Sequence, residues 1–382
     1  MIGIFGLLGA TTSAIAQQPV INGPVTTLTL PNQANQAGGG IDFVHAIPMP
    51  LPLTSRAPAL PEQSRNAPPL NQIFGPPRGS EGGSGDGKQS PVLLFPPKQV
   101  PQNTPAPNGG PPPEFGTSGQ PYTTSEATAF LDDTYAHYPF RAAGQLTFKK
   151  PNDTRTWYCS ASLIKPGVVV TAAHCVANFG QKQFYSNWKF IPAFNNGSAP
   201  YGVWTVNQAT ILTAYYNGTD PCAQSGVICQ DDVAVLVLNK QNGRFAGNSA
   251  GWFGYFTNGY SYNGSGQALI TQLGYPLALD GGLLMQRDDS QGFRASNFSN
   301  NTIIGSLMTG GSSGGPWVVN LGLPPSLSGT GFGTAASHNL IVGVTSWGYI
   351  NTAVKQQGAS PFTNGNIIVL VNVACGNGLH PC

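Results

Sequence analysis

Charge is scarce in this chain. Of 382 residues, 17 are Lys or Arg and 15 are Asp or Glu, 8% in all, against roughly 25% in ordinary soluble domains. The net charge of +2 makes no field that would gather nucleic acid or an anionic membrane surface, so neither is expected as a partner. No apolar run is long enough to cross a bilayer as a helix, which excludes an integral membrane segment of that kind. Cysteine is missing from the first 158 residues, and acid is missing after position 313.

Proline and glycine are abundant instead, at 34 and 50 residues. Residues 81–120 alone hold 9 Pro and 8 Gly, too many ladder and helix breakers for a self-supporting fold. Apolar patches there, such as Val92-Leu93-Leu94-Phe95, are short and isolated. Residues 17–121 therefore read as a disordered Pro/Gly-rich linker or pro-segment, without repeats. Residues 1–16 read as a secretory signal peptide. Ile2 to Ala10 is apolar but too short to span a membrane, and Ala14-Ile15-Ala16 has the small-x-small form of a cleavage site. No Lys or Arg precedes the apolar run, a departure from the usual basic start. Export to an extracellular or periplasmic space is the expectation.

From about Tyr122 the texture changes. Runs of Val, Ile, Tyr and Trp alternate with Asn-Gly, Gly-Ser and Pro turns, the pattern of an all-β domain over 122–382. Expected strands are Gly144–Lys149, Trp157–Ile164, Val168–Thr171, Trp188–Ala193, Val233–Leu238, Leu269–Leu273 and Leu340–Trp347. Ala172–Val176 reads as a helical turn. Periodicity allows either a strand or a helix at Ile367–Ala374, and a short C-terminal helix is expected. The remaining roughly 260 residues are enough for a substantial core, such as two packed barrels. Six cysteines in an exported chain imply disulfides, with chain neighbours paired: Cys159 with Cys175, Cys222 with Cys229, Cys375 with Cys382. No C-x-x-C pair and no histidine cluster accompanies them, so no metal is expected.

Three stretches carry chemistry: Thr171-Ala172-Ala173-His174-Cys175, Asp232-Val233-Ala234-Val235-Leu236, and Gly311-Ser312-Ser313-Gly314-Gly315-Pro316. A serine hydroxyl needs a base within hydrogen-bonding reach to act as a nucleophile. An imidazole suits that task, and a buried carboxylate can fix its tautomer. Ser313 is assigned as nucleophile, His174 as general base then acid, and Asp232 as orienting group. Asp232 is preferred to Asp231 because it abuts the apolar strand, which would turn Asp231 to the opposite face. Ser313 is preferred to Ser312 because Gly314 and Gly315 follow it, letting backbone N–H groups approach a carbonyl. The serine segment also fits the G-x-S-x-G elbow of esterases, which wants an acid and then a histidine after the serine. His338 and His380 follow, but no acid does. An acid-before-histidine order would need Asp132, Asp133 or Asp153, none in a distinctive setting.

These stretches together resemble the chymotrypsin-like serine peptidases over roughly 135–382. Cys159-Ser160-Ala161-Ser162-Leu163-Ile164 and Val168 to Cys175 resemble that family's first-barrel disulfide and histidine segment. Val344-Thr345-Ser346-Trp347-Gly348 resembles the strand that pairs with substrate backbone. The resemblance implies a double β-barrel with the triad in the cleft between barrels. It implies an oxyanion hole from the N–H groups of Gly311 and Ser313. It also implies substrate contacts from Leu307, Met308, Thr345, Ser346, Trp347 and Gly348. Ser312 stands where many animal members carry Asp, and no Ile-Val-Gly-Gly start exists, so activation through that ion pair is not expected. Ser312 and the run Tyr138-Pro139-Phe140-Arg141-Ala142-Ala143-Gly144 look more like glutamyl endopeptidase-type members. Leu307 and Met308 at the pocket base argue against a preference for Arg or Lys. Thr345, where glutamyl-specific members place histidine, argues against Glu. An apolar or small residue before the scissile bond is expected. The implied function is a secreted, monomeric serine endopeptidase acting on polypeptides without metal or organic cofactor. The rivals are an inactive binding protein of this fold and an esterase using the same serine.

Overall fold

The computed structural model describes residues 18–31, 41–61, 67–100, 120–127, 133–323 and 335–382. The proposed signal peptide lies outside the described residues. Six strands close a first barrel: β1 (Ala143–Lys149), β2 (Trp157–Lys165), β3 (Val168–Thr171), β4 (Ser186–Pro192), β5 (Trp204–Leu212) and β6 (Ala234–Leu238). Six more close a second: β7 (Gln267–Gly274), β8 (Gln286–Ala295), β9 (Asn301–Gly305), β10 (Pro316–Val319), β11 (Leu340–Tyr349) and β12 (Gln356–Pro361). Closure of the first comes from β5 pairing with β6, and of the second from β10 pairing with β11. Every pairing within the barrels is antiparallel. Closure pairs each barrel strand on both sides over part of its length, leaving stretches such as 208–212 of β5 open along one side.

Each expected strand overlaps one of these elements. Val168–Thr171 matches end to end, and the ends of the others differ by at most two residues. Val-rich β3 and β6 are buried on both faces, which is why they read as unbroken apolar runs. Ala173–Cys175 is the expected helical turn, as a 3-10 helix. Ile367–Cys375 is a helix. The arbitration is local: the Asn366 side chain accepts the Ile367 N–H, while the Thr363 hydroxyl accepts the Asn366 N–H at 3.2 Å. From the end of the second barrel this helix returns to pack on β5 and β6 of the first. Its last residue, Cys375, is bonded to Cys382, and the Pro381 carbonyl caps the Gly167 N–H at 2.7 Å.

One expectation needs correction. The Pro/Gly-rich segment is held against the barrels over most of its described length. Val25–Thr29 pairs antiparallel with β5, using the stretch 208–212 that β4 leaves unpaired. Ile47–Pro48 pairs with β2, and Leu53–Thr54 with β11, both in parallel. Gly79–Ser80 pairs with Gly254–Phe256, and Tyr122–Glu126 with β8. High Pro and Gly content does prevent such a chain from building its own sheet. It does not prevent short pieces from borrowing the unsatisfied donors and acceptors of a finished one. Residues 32–40, 62–66 and 101–119 lie outside the described residues.

Candidate active site

His174 sits on the turn immediately after β3, whose four residues are fully buried. The Cys159–Cys175 disulfide fixes that turn to β2. Asp232 lies two residues before β6, so the antiparallel register of β3 with β6 sets the two side chains at the same barrel end. Asp232 holds the histidine twice: Oδ1 accepts the His174 backbone N–H at 2.8 Å, and Oδ2 lies 2.8 Å from Nδ1. Ser346 Oγ donates to the same Oδ2 at 2.6 Å. With three contacts the carboxylate has little freedom to turn, and the ring is fixed with Nε2 as its free nitrogen. Asp231 faces elsewhere. Its Oδ1 accepts from Asn366 Nδ2 at 3.1 Å, and its backbone N–H donates to Asp220 Oδ2 at 2.9 Å. Burial pushes the carboxyls of Asp220 and Asp231 up, and their mutual proximity raises Asp220 further.

The Ser313 turn is clamped from the first barrel. Ser160, in the middle of β2, donates its N–H to the Ser313 carbonyl at 2.8 Å and its hydroxyl to the Gly311 carbonyl at 2.8 Å. That hydroxyl also accepts the Tyr275 N–H. Gly314 explains the close approach. Its φ is +76°, and a Cβ there would lie 1.9 Å from Thr171 Oγ1 and 2.5 Å from the Ser160 carbonyl. The Ser313 turn therefore packs directly on the residues leading into His174. Gly311, at φ +94°, would likewise drive a Cβ into the Tyr275 carbonyl and the Tyr158 ring. Ser312 does not reach for a terminal amine. Its hydroxyl donates to the Thr309 carbonyl at 2.7 Å, closing the turn on itself. Ser313 Oγ and His174 Nε2 are both buried without a hydrogen-bond partner.

Beside the turn lies a cavity of about 360 Å³ lined by Leu277, Leu307, Met308, Gly348 and Tyr349 among others. The six expected substrate contacts divide evenly. Leu307, Met308 and Gly348 line this cavity. Thr345 is buried away from it, accepting from Trp317 Nε1 at 2.9 Å and Gln272 Nε2 at 2.8 Å. Ser346 serves Asp232, and Trp347 stacks on Phe298 in a side core with Nε1 on Asn301. On β11 the neighbours Trp347 and Gly348 face opposite ways, which puts one in the side core and the other on the cavity. Gly311 carries its N–H on the cleft side, where it donates to the Met49 carbonyl at 2.9 Å. Sequence reasoning missed Ser160, Gln272, Leu277 and Met49, because each acts through contacts tens of residues or more away along the chain or from a segment read as unstructured.

The family model for trypsin matches residues 132–365. This chain belongs to the trypsin family. Its two closed six-stranded barrels are the chymotrypsin-like double barrel. A curated relative, the extracellular metalloprotease of Bacillus subtilis (strain 168), is 32% identical over 139 residues. The match covers 36% of this trypsin-family chain, which spans about 39% of that relative's length. Among solved structures, protease Anisep from Arthrobacter nicotinovorans is 24% identical with a TM-score of 0.48, covering 62% of this chain and 96% of its own. The thermostable serine protease AL20 from an extremophilic microorganism is 23% identical, TM-score 0.49, covering 62% and 98%. A Glu endopeptidase in complex with MPD is 18% identical, TM-score 0.49, covering 66% and 97%. All three expected disulfides are present: Cys159–Cys175, Cys222–Cys229 and Cys375–Cys382. Among the described residues, two groups of three His, Cys or Asp side chains gather within 4.8 Å. In each, two members are disulfide-bonded cysteines, which have no thiolate to offer a metal.

Proposed function

We propose that this chain is a secreted serine endopeptidase in which Ser313, His174 and Asp232 act together. His174 Nε2 removes the Ser313 proton as Oγ attacks the substrate carbonyl, giving a tetrahedral adduct. The N–H groups of Gly311 and Ser313 bind its oxyanion. Nε2 then passes the proton to the leaving amine, and an acyl-enzyme remains at Ser313. Water, deprotonated by His174, releases the acid and restores the serine. Asp232 stabilises the imidazolium at each stage and keeps its tautomer. The observation that carries this reading is the two-oxygen grip of Asp232 on His174, which leaves Nε2 as the only ring nitrogen for proton transfer. The apolar cavity walled by Leu277, Leu307 and Met308 favours an apolar residue before the scissile bond.

A fluorophosphonate probe tests it. Ser313 is expected to be labelled, and the label to vanish in Ser313→Ala and His174→Ala chains with unchanged circular dichroism. Turnover of a peptide substrate by Ser313→Ala should fall by several orders of magnitude. A folded wild-type chain freed of residues 1–121 that takes no label would favour a binding protein instead.

A further inference from the structure

Although a nucleophile must meet its substrate, Ser313 is fully buried and His174 only 4% exposed. The chain's own segment Ile47 to Thr54 lies against the Ser313 turn at Gly310 and Gly311. Its backbone bridges the two barrels across the cleft. On the first barrel, the Ile47 N–H donates to the Thr156 carbonyl at 2.9 Å and the Met49 N–H to the Tyr158 carbonyl at 2.8 Å. At the centre, the Gly311 N–H donates to the Met49 carbonyl at 2.9 Å. On the second, the Gly348 and Ile350 N–H groups donate to the carbonyls of Pro52 and Thr54, both at 3.0 Å. Leu51 Cδ1 and Leu53 Cδ2 lie about 3.4 and 3.5 Å from where a Cβ on Gly348 would be. Both leucines, with Pro48 and Pro50, wall the cavity that also holds Leu307 and Met308. The segment thus uses the oxyanion amide, the substrate-pairing strand and the apolar cavity at once.

We infer that residues 47–54 are a built-in inhibitor, occupying the cleft as a peptide that the site holds and does not cut. The inference rests on the peptidase reading above. Its resistance follows from the sequence Pro48-Met49-Pro50-Leu51-Pro52. The carbonyl at the Gly311 amide belongs to the Met49–Pro50 bond. The nitrogen there is tertiary, and its ring carbon crowds the lone pair that His174 would have to protonate. Alternate prolines also fix φ at every second residue, so the segment loses little chain entropy on lying down. Substrate enters only after this segment is displaced or removed.

The test compares the full chain with Met49→Asp/Leu51→Asp, in which burying two carboxylates at side chains the cleft now covers drives the segment out. Labelling of Ser313 by the fluorophosphonate should accelerate about tenfold or more in the variant. A synthetic peptide spanning residues 45–56 should slow it again. Hydrogen exchange of the peptide covering Gly311 should rise in the variant, and this reports the contact whether or not the serine reacts. If the aspartate pair prevents folding, Met49→Gly/Leu51→Gly removes the packing without adding charge. Equal labelling rates and equal exchange in the full chain and a folded variant would overturn the inference. Faster exchange with no labelling of either would leave the contact standing while removing the peptidase reading, and with it the inhibitory role.

Discussion

Ser346 shows what a single hydroxyl contributes. It gives Asp232 Oδ2 a charge-assisted hydrogen bond inside a site where Asp232 is 1% exposed. Removing it leaves that oxygen less well held and the imidazole freer to turn. Ser346→Ala should therefore lower kcat by about tenfold or more, from the worth of a hydrogen bond to a buried charge, with KM little changed. Steady-state kinetics on a peptide substrate check this, and a change confined to KM would refute it. The contrast with the three principal residues is instructive. His174, Asp232 and Ser313 stand out in the sequence because each is embedded in a local pattern. Ser346, expected at the substrate, and Ser160 carry no local sign of these roles, because their partners are 114 and 151 residues distant along the chain.

At the scale of the element, β8 explains why some strands escaped notice. Its sequence, Gln286-Arg287-Asp288-Asp289-Ser290-Gln291-Gly292-Phe293-Arg294-Ala295, carries little apolar alternation. The charges are absorbed by neighbours instead. Asp289 accepts from Thr271 Oγ1 and Arg287 Nε, and buried Arg294 donates to Asn300 and the Pro68 carbonyl. Gln356 and Gln357 do the same for β12, the latter donating to the Met308 carbonyl at 2.6 Å. Strands whose inward residues are polar groups hydrogen-bonded to neighbours have no hydrophobic period to read.

Asp288 makes this arrangement pH-sensitive. Burial pushes its carboxyl up to about 8, although Oδ1 accepts from Thr124 Oγ1 at 2.6 Å. A folded pKa above the unfolded value of 3.8 means the folded chain binds the extra proton. Its contribution is present in full below pH 4 and declines as pH rises toward 8. Asp288→Asn keeps an acceptor for Thr124 and never ionises. Thermal midpoints should thus be similar for both chains near pH 4 and higher for the variant at pH 8. Parallel melting curves across that range would contradict the assignment.

For the whole molecule, the described stretches before residue 128 are part of the folded object rather than a lead to it. Strand Val25–Thr29 completes the unpaired half of β5 and buries Val25 and Leu28. Deleting residues 1–31 should cost roughly 3 kcal/mol or more, from about 1.5–3 kcal/mol per buried aliphatic side chain. Peptidase activity per folded molecule should not change, since this strand lies on the barrel wall and not in the cleft. Denaturant unfolding with active-site titration separates the two effects. The double barrel was legible from patterning and motifs, because closed sheets announce themselves through buried Val and Ile runs. The wrap was not, because its stability comes from surfaces made elsewhere in the chain.

The neutral tie between the Ser312 hydroxyl and the Thr309 carbonyl has a practical corollary. Relatives that rely on a freshly released amine must be trimmed to the residue, since a ragged start leaves their catalytic loop slack. Here the loop is self-fastened, so heterogeneous maturation, leftover linker residues or a fused tag upstream should leave every molecule in a preparation equally competent once its cleft is clear.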